Sequence, residues 1–356
     1  MSILDHSYVA ITGIGIIAPS MLTFDCITKD RLNSLKKEKV VANVPLPEGQ
    51  NSRELRRLSK LARMAVGAAD QALRMSKKST GSMGAGVALS HGSTSYLSEF
   101  HDLLFDYGPD NASPSAFSNG ITNAPLSTIS TMYKLTSGGV TYTGLESTGI
   151  DMLSYGAEAV ICNEYDSFLA GAAEEYSPLV EHIYSQIGWY NGCSPDFLPC
   201  EENTTAGDSI SEGSAFLVFE PLTDESCTRA LALYKPVSVP LQHIKPDLII
   251  SCAGGGPQDL HENNLLKRIL TAGCSDVVFT SRVFGNCFAL SGVFSAVLAC
   301  ACIQSKSNIV PRVQHNPEIS QYIHTKETVS SVLITGASRD GQISCGLLCS
   351  PENGGC

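Results

Sequence analysis

The sequence predicts an α/β fold made of two similar halves, and three observations carry that expectation. A strand–turn–helix unit, VTYTGLESTGIDMLSYGAEAVI at 140–161, recurs as DVVFTSRVFGNCFALSGVFSAVLAC at 276–300. SFLAGAA, starting at 167, is echoed by SSVLITGAS at 330–338. The 356 residues are 43% hydrophobic and only 17% charged, with 31 glycines, which suits closely packed α/β layers with much buried backbone.

The elements follow in order. YVAITGIGII (8–17) reads as a β-branched strand running into a glycine turn. Residues 53–77 carry a helical period, with Leu55, Leu58, Leu61, Ala65, Ala68 and Leu73 on one face. Residues 84–89 form a buried strand, and a small-residue segment, 112–128, comes next. After the 140–161 unit, SFLAGAAEE (167–175) and EGSAFLVFEPL (212–222) read as buried strands. The second half repeats this order more loosely. DLIISCAGGG (247–256) is a strand and turn, the 276–300 unit follows, and the strands at 330–338 and 342–348 close it. The least ordered stretches are expected at 45–52 and around 194–211.

Composition excludes several classes. The formal charge is −11, and no Lys/Arg cluster supplies the basic surface a general nucleic-acid binder needs. The thirteen cysteines are scattered through apolar stretches without a CxxC pair. That pattern reads as reduced thiols of a cytosolic protein and offers no zinc-ligand spacing. No secretory leader is recognisable at the N-terminus. The uncharged run from Val283 to Ser305 is long enough to span a bilayer, but Asn286, Ser291 and Ser295 interrupt it, and it reads as a buried central helix.

Gly13-Ile14-Gly15-Ile16-Ile17-Ala18 loosely fits a dinucleotide fingerprint. Pro19 follows where a helix N-terminus is required, so the reading is a close-packed turn, with no cofactor and no metal expected. The informative place is 140–153. A strand ends there, a tight turn follows, and a helix starts near Ser147, which sets Glu146 against free backbone N–H groups and the positive end of the helix dipole. A carboxylate is electrostatically favoured at that position but is a poor acyl-accepting nucleophile.

These segments together resemble the β-ketoacyl synthases along the whole chain. YVAITGIGIIAP is similar to the family's opening strand and RLSKLARMAVGAADQAL (57–73) to its first long helix. FLAGAAEEYSP resembles the AGGAE…SP segment, EGSAFLVFEPL the EGAGxLVLExL strand, and SRVFGNCFALSGVFSAVLACACIQSKSNIVP (281–311) the KSxxGHxxGAAG helix. The resemblance implies a thiolase-type, five-layered αβαβα fold with two duplicated halves, 1–225 and a shortened 226–356. In the 212–247 stretch, roughly a helix and a strand of the second half are expected to be missing.

The family's active-site residues are not retained. Where TACASGxD places the nucleophilic cysteine, whose thiol pKa that helix N-terminus lowers, this chain has Glu146. The lysine and histidine of KSxxGH fall on Ser281 and Asn286. The histidine of AHGT falls on Cys252, or on Ala253 if the alignment slips by one. Condensation needs a thiolate to carry the chain and two histidines to stabilise developing negative charge. A relative that keeps the fold and loses these groups is the chain length factor, or ketosynthase β-subunit, of type II polyketide synthases, in which glutamine usually takes the cysteine position. The resemblance implies a non-catalytic subunit that pairs with an active ketosynthase. The two would shape a tunnel for a poly-β-ketoacyl chain on an acyl carrier protein, in an aromatic, anthraquinone-type system or next a polyene one. The alternative is a malonyl decarboxylase or condensing enzyme acting through Glu146, or through Cys252.

By the same resemblance, the tunnel would be limited by residues of 112–120, namely Ala112, Ser115, Ala116, Phe117 and Asn119, ahead of a helix over 129–135. Nearly all are small, and Phe117 is the one side chain large enough to act as a stop, or else a core anchor. The histidines, His91 among them, read as surface or turn residues. Asp151 reads as a helix-stabilising first-turn residue, and Arg282 as a candidate partner for Glu146. Neither nucleic acid nor membrane is an expected partner.

Overall fold

The computed structural model describes residues 7–20, 23–35, 38–45, 47, 55, 57–190, 192, 199–200, 207–241, 243–272, 275–312 and 317–353. The expected loose stretches at 45–52 and 194–211 lie largely outside them.

Strand β1 (Val9–Ile17) is buried at every position. The glycines in its middle make no turn; the strand runs through them. A Cβ on Gly15 would lie 1.8 Å from the carbonyl oxygen of Ala68, and one on Gly13 would lie 2.2 Å from that of Ala72. Their role is to let helix α1 (Lys60–Ser76) lie directly on the strand. The helix starts at Lys60 because the Ser59 hydroxyl accepts the Ala62 N–H as its cap. The predicted face is buried through Leu61, Ala65, Ala68 and Leu73.

The remaining strands are β2 (Met83–Leu89), β3 (Gly139–Thr143), β4 (Ser167–Glu174), β5 (Gly213–Pro221), β6 (Ala232–Val237), β7 (Leu248–Ser251), β8 (Asp276–Phe279), β9 (Ser331–Ala337) and β10 (Ile343–Cys349). They form one sheet in the order β3-β2-β4-β5-β1-β6-β10-β9-β7-β8. The duplication is legible in that order. β1 pairs antiparallel with β5, β5 antiparallel with β4, β4 parallel with β2, and β2 parallel with β3. β6, β10, β9, β7 and β8 repeat the same pairings, and β1 joins β6 at the seam.

Between β2 and β3 lie α2 (Thr94–Tyr107), α3 (Pro114–Gly120) and α4 (Ala124–Tyr133). The segment read as a small-residue stretch is therefore partly helical, because Ser113 caps α3 and prolines occupy the first turns of α3 and α4. The helix placed at 129–135 begins five residues earlier, at Ala124. α5 (Thr148–Ile161) follows β3, and α6 (Pro178–Gln186) follows β4. In the second half, α7 (Asp259–Ala272) lies between β7 and β8, and α8 (Ala289–Gln304) follows β8. α5 and α8 pack on one another and on strands of both halves, forming the central layer. α1 covers the outer face of the first half and α7 that of the second, which completes the five layers.

α8 is buried from Ala289 to Ile303, which explains its lack of charge. Among the described residues no helix is long and apolar enough to cross a membrane. Among the described residues nine cysteines are free thiols, whereas Cys349 is disulfide-bonded, so the all-thiol expectation fails at that residue. All five strands of the second half are present. What that half lacks is the counterpart of α1: the described residues between β6 and β7 contain no helix. An apolar groove of about 390 Å³ lies there, lined by Val239, Pro240, Leu241, Leu265 and Ile269.

The central layer closes where α5 meets α8. A Cβ on Gly149 would sit 1.9 Å from the Ala289 carbonyl oxygen. Gly149→Ala is therefore expected to force the two helices apart and cost about 1–3 kcal/mol, read as a lower urea midpoint.

Candidate functional site

The tight turn ahead of α5 is formed as the sequence implies. The Thr148 N–H donates to the Leu145 carbonyl, and the Ser147 N–H donates to Ser338 Oγ at 2.9 Å. The Ser338 hydroxyl in turn donates to Ser147 Oγ at 2.8 Å, tying the β9–β10 turn of the second half to the α5 N-terminus of the first. Glu146, 4% exposed, sits at this junction. Its Oε1 accepts from Arg339 Nε at 2.7 Å and Nη2 at 2.5 Å. The Arg339 guanidinium lies over the rings of Tyr184 and Trp189, 4.4 and 4.5 Å from their centroids. A flat, weakly hydrated cation is suited to such a place.

The expected Glu146–Arg282 pair does not form. Arg282 donates to Asp208, fully buried, at 3.2 Å, and Glu146 is taken by Arg339. These two buried acids thus each have their own cation, which offsets the cost of burying their charge.

The other positions matched to the condensing residues lie around the end of β7 and the start of α8. The Ser281 hydroxyl donates to the Ala253 carbonyl at 2.8 Å. Asn286 Oδ1 accepts the Phe288 N–H at 3.1 Å. A Cβ on Gly254 would lie 3.1 Å from Ser281 Cβ and 3.5 Å from Asn286 Cβ, so these positions are immediate neighbours. Cys252 turns toward α8, its Sγ 3.3 Å from Ser295 Oγ, and burial pushes its thiol well above the ordinary range. It is therefore no thiolate.

Two buried acids organise the loop carrying Cys252. Asp259 accepts N–H groups from Cys200, Gly254 and Gly255. Glu262 accepts the hydroxyls of Ser251 and Thr335. Burial raises both, Asp259 to about 7.

Sequence reasoning missed the residues that wall the site. His91, read as a surface or turn histidine, is partly buried. Its Nε2 is 2.9 Å from the Tyr184 hydroxyl, its ring packs edge-on against Phe288 at 4.5 Å, and its Nδ1 lies 3.8 Å from Glu174. Burial pushes the Tyr184 phenol up to about 12. Phe288 has φ 49° and ψ −128°, a strained conformation for a side chain of that size, and such strain collects at functional sites. The available signal was periodic: Val180 and Tyr184 form the buried face of α6. Nothing in sequence placed Arg339 opposite Glu146. Asp151 sits in the first turn of α5 as read, accepting from Ser344 and Gln342, and burial raises its carboxyl.

The 112–120 positions lie apart from this cluster. Ala116 is buried, Ala112 and Asn119 are half-buried, and Ser115 is exposed. Asn119 Oδ1 accepts the Ser59 N–H at 3.3 Å. Phe117 is 53% exposed, so it is no core anchor; it projects from α3 against Phe100, centroids 5.3 Å apart. Leu97, Phe105, Tyr107 and Ile121 are also exposed on this α2–α4 region. β3, the edge strand on the first-half side of the sheet, is partly exposed.

Fold and turn geometry define a thiolase-type α/β protein with the layout of a condensing enzyme. Residues 33–225, more than half of the chain, match the family described as Beta-ketoacyl synthase, N-terminal domain, and the chain belongs to that family. No curated protein sequence matches it. Among solved structures, it is similar to a chain of a type II polyketide synthase acyl-carrier protein in complex with its ketosynthase bound to the hexaketide. The TM-score is 0.73 at 18% identity, with 96% of this chain and 99% of that chain covered. It is also similar to the ishigamide ketosynthase/chain length factor, with TM-score 0.73, 15% identity, and 96% and 98% covered. A β-ketoacyl synthase from Burkholderia phymatum STM815 gives TM-score 0.71 and 14% identity, with 96% and 98% covered.

Glu146→Ala strands the Arg339 guanidinium in the interior and is expected to cost about 3–5 kcal/mol. Glu146→Gln, which keeps an acceptor, should cost less, and adding Arg339→Met to Glu146→Ala should recover part of the loss in urea melts. A pH effect follows from Asp259. Its folded-state carboxyl holds a proton up to about pH 7, whereas an unfolded aspartate releases it near pH 4. The folded state therefore binds more protons across that window, and this group's contribution to stability falls as pH rises through it. Thermal melts of Asp259→Asn should show a flatter decline between those pH values than the parent.

Proposed function

We propose that this chain is a non-catalytic chain length factor. It would pair with an active ketosynthase and shape the tunnel in which a poly-β-ketoacyl chain grows on an acyl carrier protein. The observation that carries the reading is the state of the four condensing positions. By the resemblance these fall on Glu146, Cys252 or Ala253, Ser281 and Asn286; Glu146, Cys252, Ser281 and Asn286 are each engaged with a neighbour, and none of the five supplies a thiolate or an imidazole. A thiolase-type scaffold without that machinery keeps its shape, and shape is what a tunnel-forming subunit contributes.

Two surface features support a partner. β3 leaves one edge of the sheet unpaired, a strand edge that proteins usually cover. The exposed apolar side chains Leu97, Phe105, Tyr107, Phe117 and Ile121, with Phe105 80% exposed, lie on the helical segments that connect β2 to this edge. Under this reading Phe117, with Ala112, Ser115, Ala116 and Asn119 around it, faces the shared space and limits chain length. The product class that fits best is an aromatic, anthraquinone-type polyketide, and the cellular compartment is the cytoplasm. The alternative of a decarboxylase or condensing enzyme working through Glu146 is disfavoured by the commitment of its carboxylate to Arg339.

The test is co-expression with an active type II ketosynthase. Native mass spectrometry is expected to show a one-to-one heterodimer with the partner's thiol intact. A homodimer that ignores the ketosynthase overturns the reading. Within the heterodimer, Phe117→Ala is expected to shift products toward chains one or more ketide units longer by liquid chromatography–mass spectrometry, and Phe117→Trp toward shorter ones. Glu146→Gln should leave product formation within about twofold, whereas a decarboxylase would lose it.

A further inference from the structure

Three segments far apart in sequence converge on one guanidinium. The β9–β10 turn carries Arg339, the α5 N-terminus presents Glu146, and α6 with the turn after it supplies Tyr184 and Trp189. The Arg339 side chain is only 8% exposed, and Trp189, 39% exposed, is the member that faces outward. Both nitrogens of the guanidinium that reach Glu146 converge on the single oxygen Oε1. Arg339 Nη1 and Glu146 Oε2 are buried without a hydrogen-bond partner. A pair built for stability alone favours the fork-on-fork arrangement that engages both oxygens. Here the guanidinium instead sits in the corner formed by two nearly perpendicular rings, 4.4 and 4.5 Å from their centroids, where it fills the space beside the residue read as the former nucleophile position.

We propose that Arg339 is a plug for this chain's own acyl site. Pinned by Glu146 and walled by Tyr184 and Trp189, it blocks the approach to the α5 N-terminus, so that an acyl chain on a pantetheine arm cannot enter this subunit. The growing chain is thereby confined to the partner's site and the shared space. The proposal rests on reading Glu146 as the former nucleophile position. It adds Arg339 and Trp189 as residues that determine where the chain can go. No covalent step is involved; the device works by exclusion.

The probe is a non-hydrolysable octanoyl-pantetheine, with a ketone in place of the thioester, titrated by isothermal calorimetry into the full-length chain without a partner. The parent is expected to show no saturable binding at millimolar probe. The double variant Glu146→Gln, Arg339→Ala removes the guanidinium without leaving a charge stranded and is expected to bind at least tenfold more tightly than the parent. Trp189→Ala, at a partly exposed position where folding is least at risk, is expected to give an intermediate gain. Thermal melts establish that each variant is folded. Saturable binding by the parent, or folded variants that bind no better than it, overturns the plug. Because the titration needs no ketosynthase, its failure is separate from failure of the chain length factor reading, which is decided by heterodimer formation and product length.

Discussion

The contact on which the rest of the site depends is the crossing of α5 and α8 at Gly149. With no side chain there, the backbone of one central helix rests on the Ala289 carbonyl at the start of the other. Two helix N-termini are thereby held side by side in the middle of the molecule. Each brings the partial positive charge of its first turn. A family that runs condensation there uses this field to hold a thiolate. This chain puts a carboxylate in the same field and then adds an arginine.

The arginine changes the balance of charge in the interior. Glu146 alone would be content at a helix N-terminus, and Arg339 alone would not be tolerated with 8% of its side chain exposed. Together they form a neutral unit spanning the two halves of the fold. The Arg282–Asp208 pair repeats the principle nearby. Asp259 and Glu262 follow a different one: burial raises both carboxyls, and hydrogen bonds from backbone and hydroxyl groups hold them. The polar interior is thus densely bonded, with Glu146 and Asp208 held by cations and Asp259 and Glu262 by sets of donors.

The layer order and most strands were legible in sequence because burial on both faces writes continuous apolar runs, as in Val9–Ile17 and Leu248–Ser251. The position of Glu146 was legible because a strand–turn–helix unit fixes which residue meets the helix N-terminus. Its partner was not. Arg282 and Arg339 are equally plausible cations in a linear string, and only the return of the β9–β10 turn to the first half selects Arg339. His91 escaped for the same reason: nothing local distinguishes a histidine packed on Phe288 and Tyr184 from one in a solvated turn. Gly13 and Gly15 show the converse error, since a glycine spacing that reads as a turn is also what a strand needs when a helix lies directly on it.

The duplicated halves are no longer equal in cover. The first is overlaid by α1, whose small residues seal β1, whereas among the described residues the second has no helix between β6 and β7 and retains a groove beside Leu265 and Ile269. Local opening begins where fewest apolar contacts must be broken. The outer face of the second half is thus the weaker cooperative unit, and the amides of α7, which lie beside the groove, would exchange with solvent before those of α1. The central helices, shared by both halves, would hold until the whole molecule opens. An ancestral symmetry of shape has become an asymmetry of lifetime.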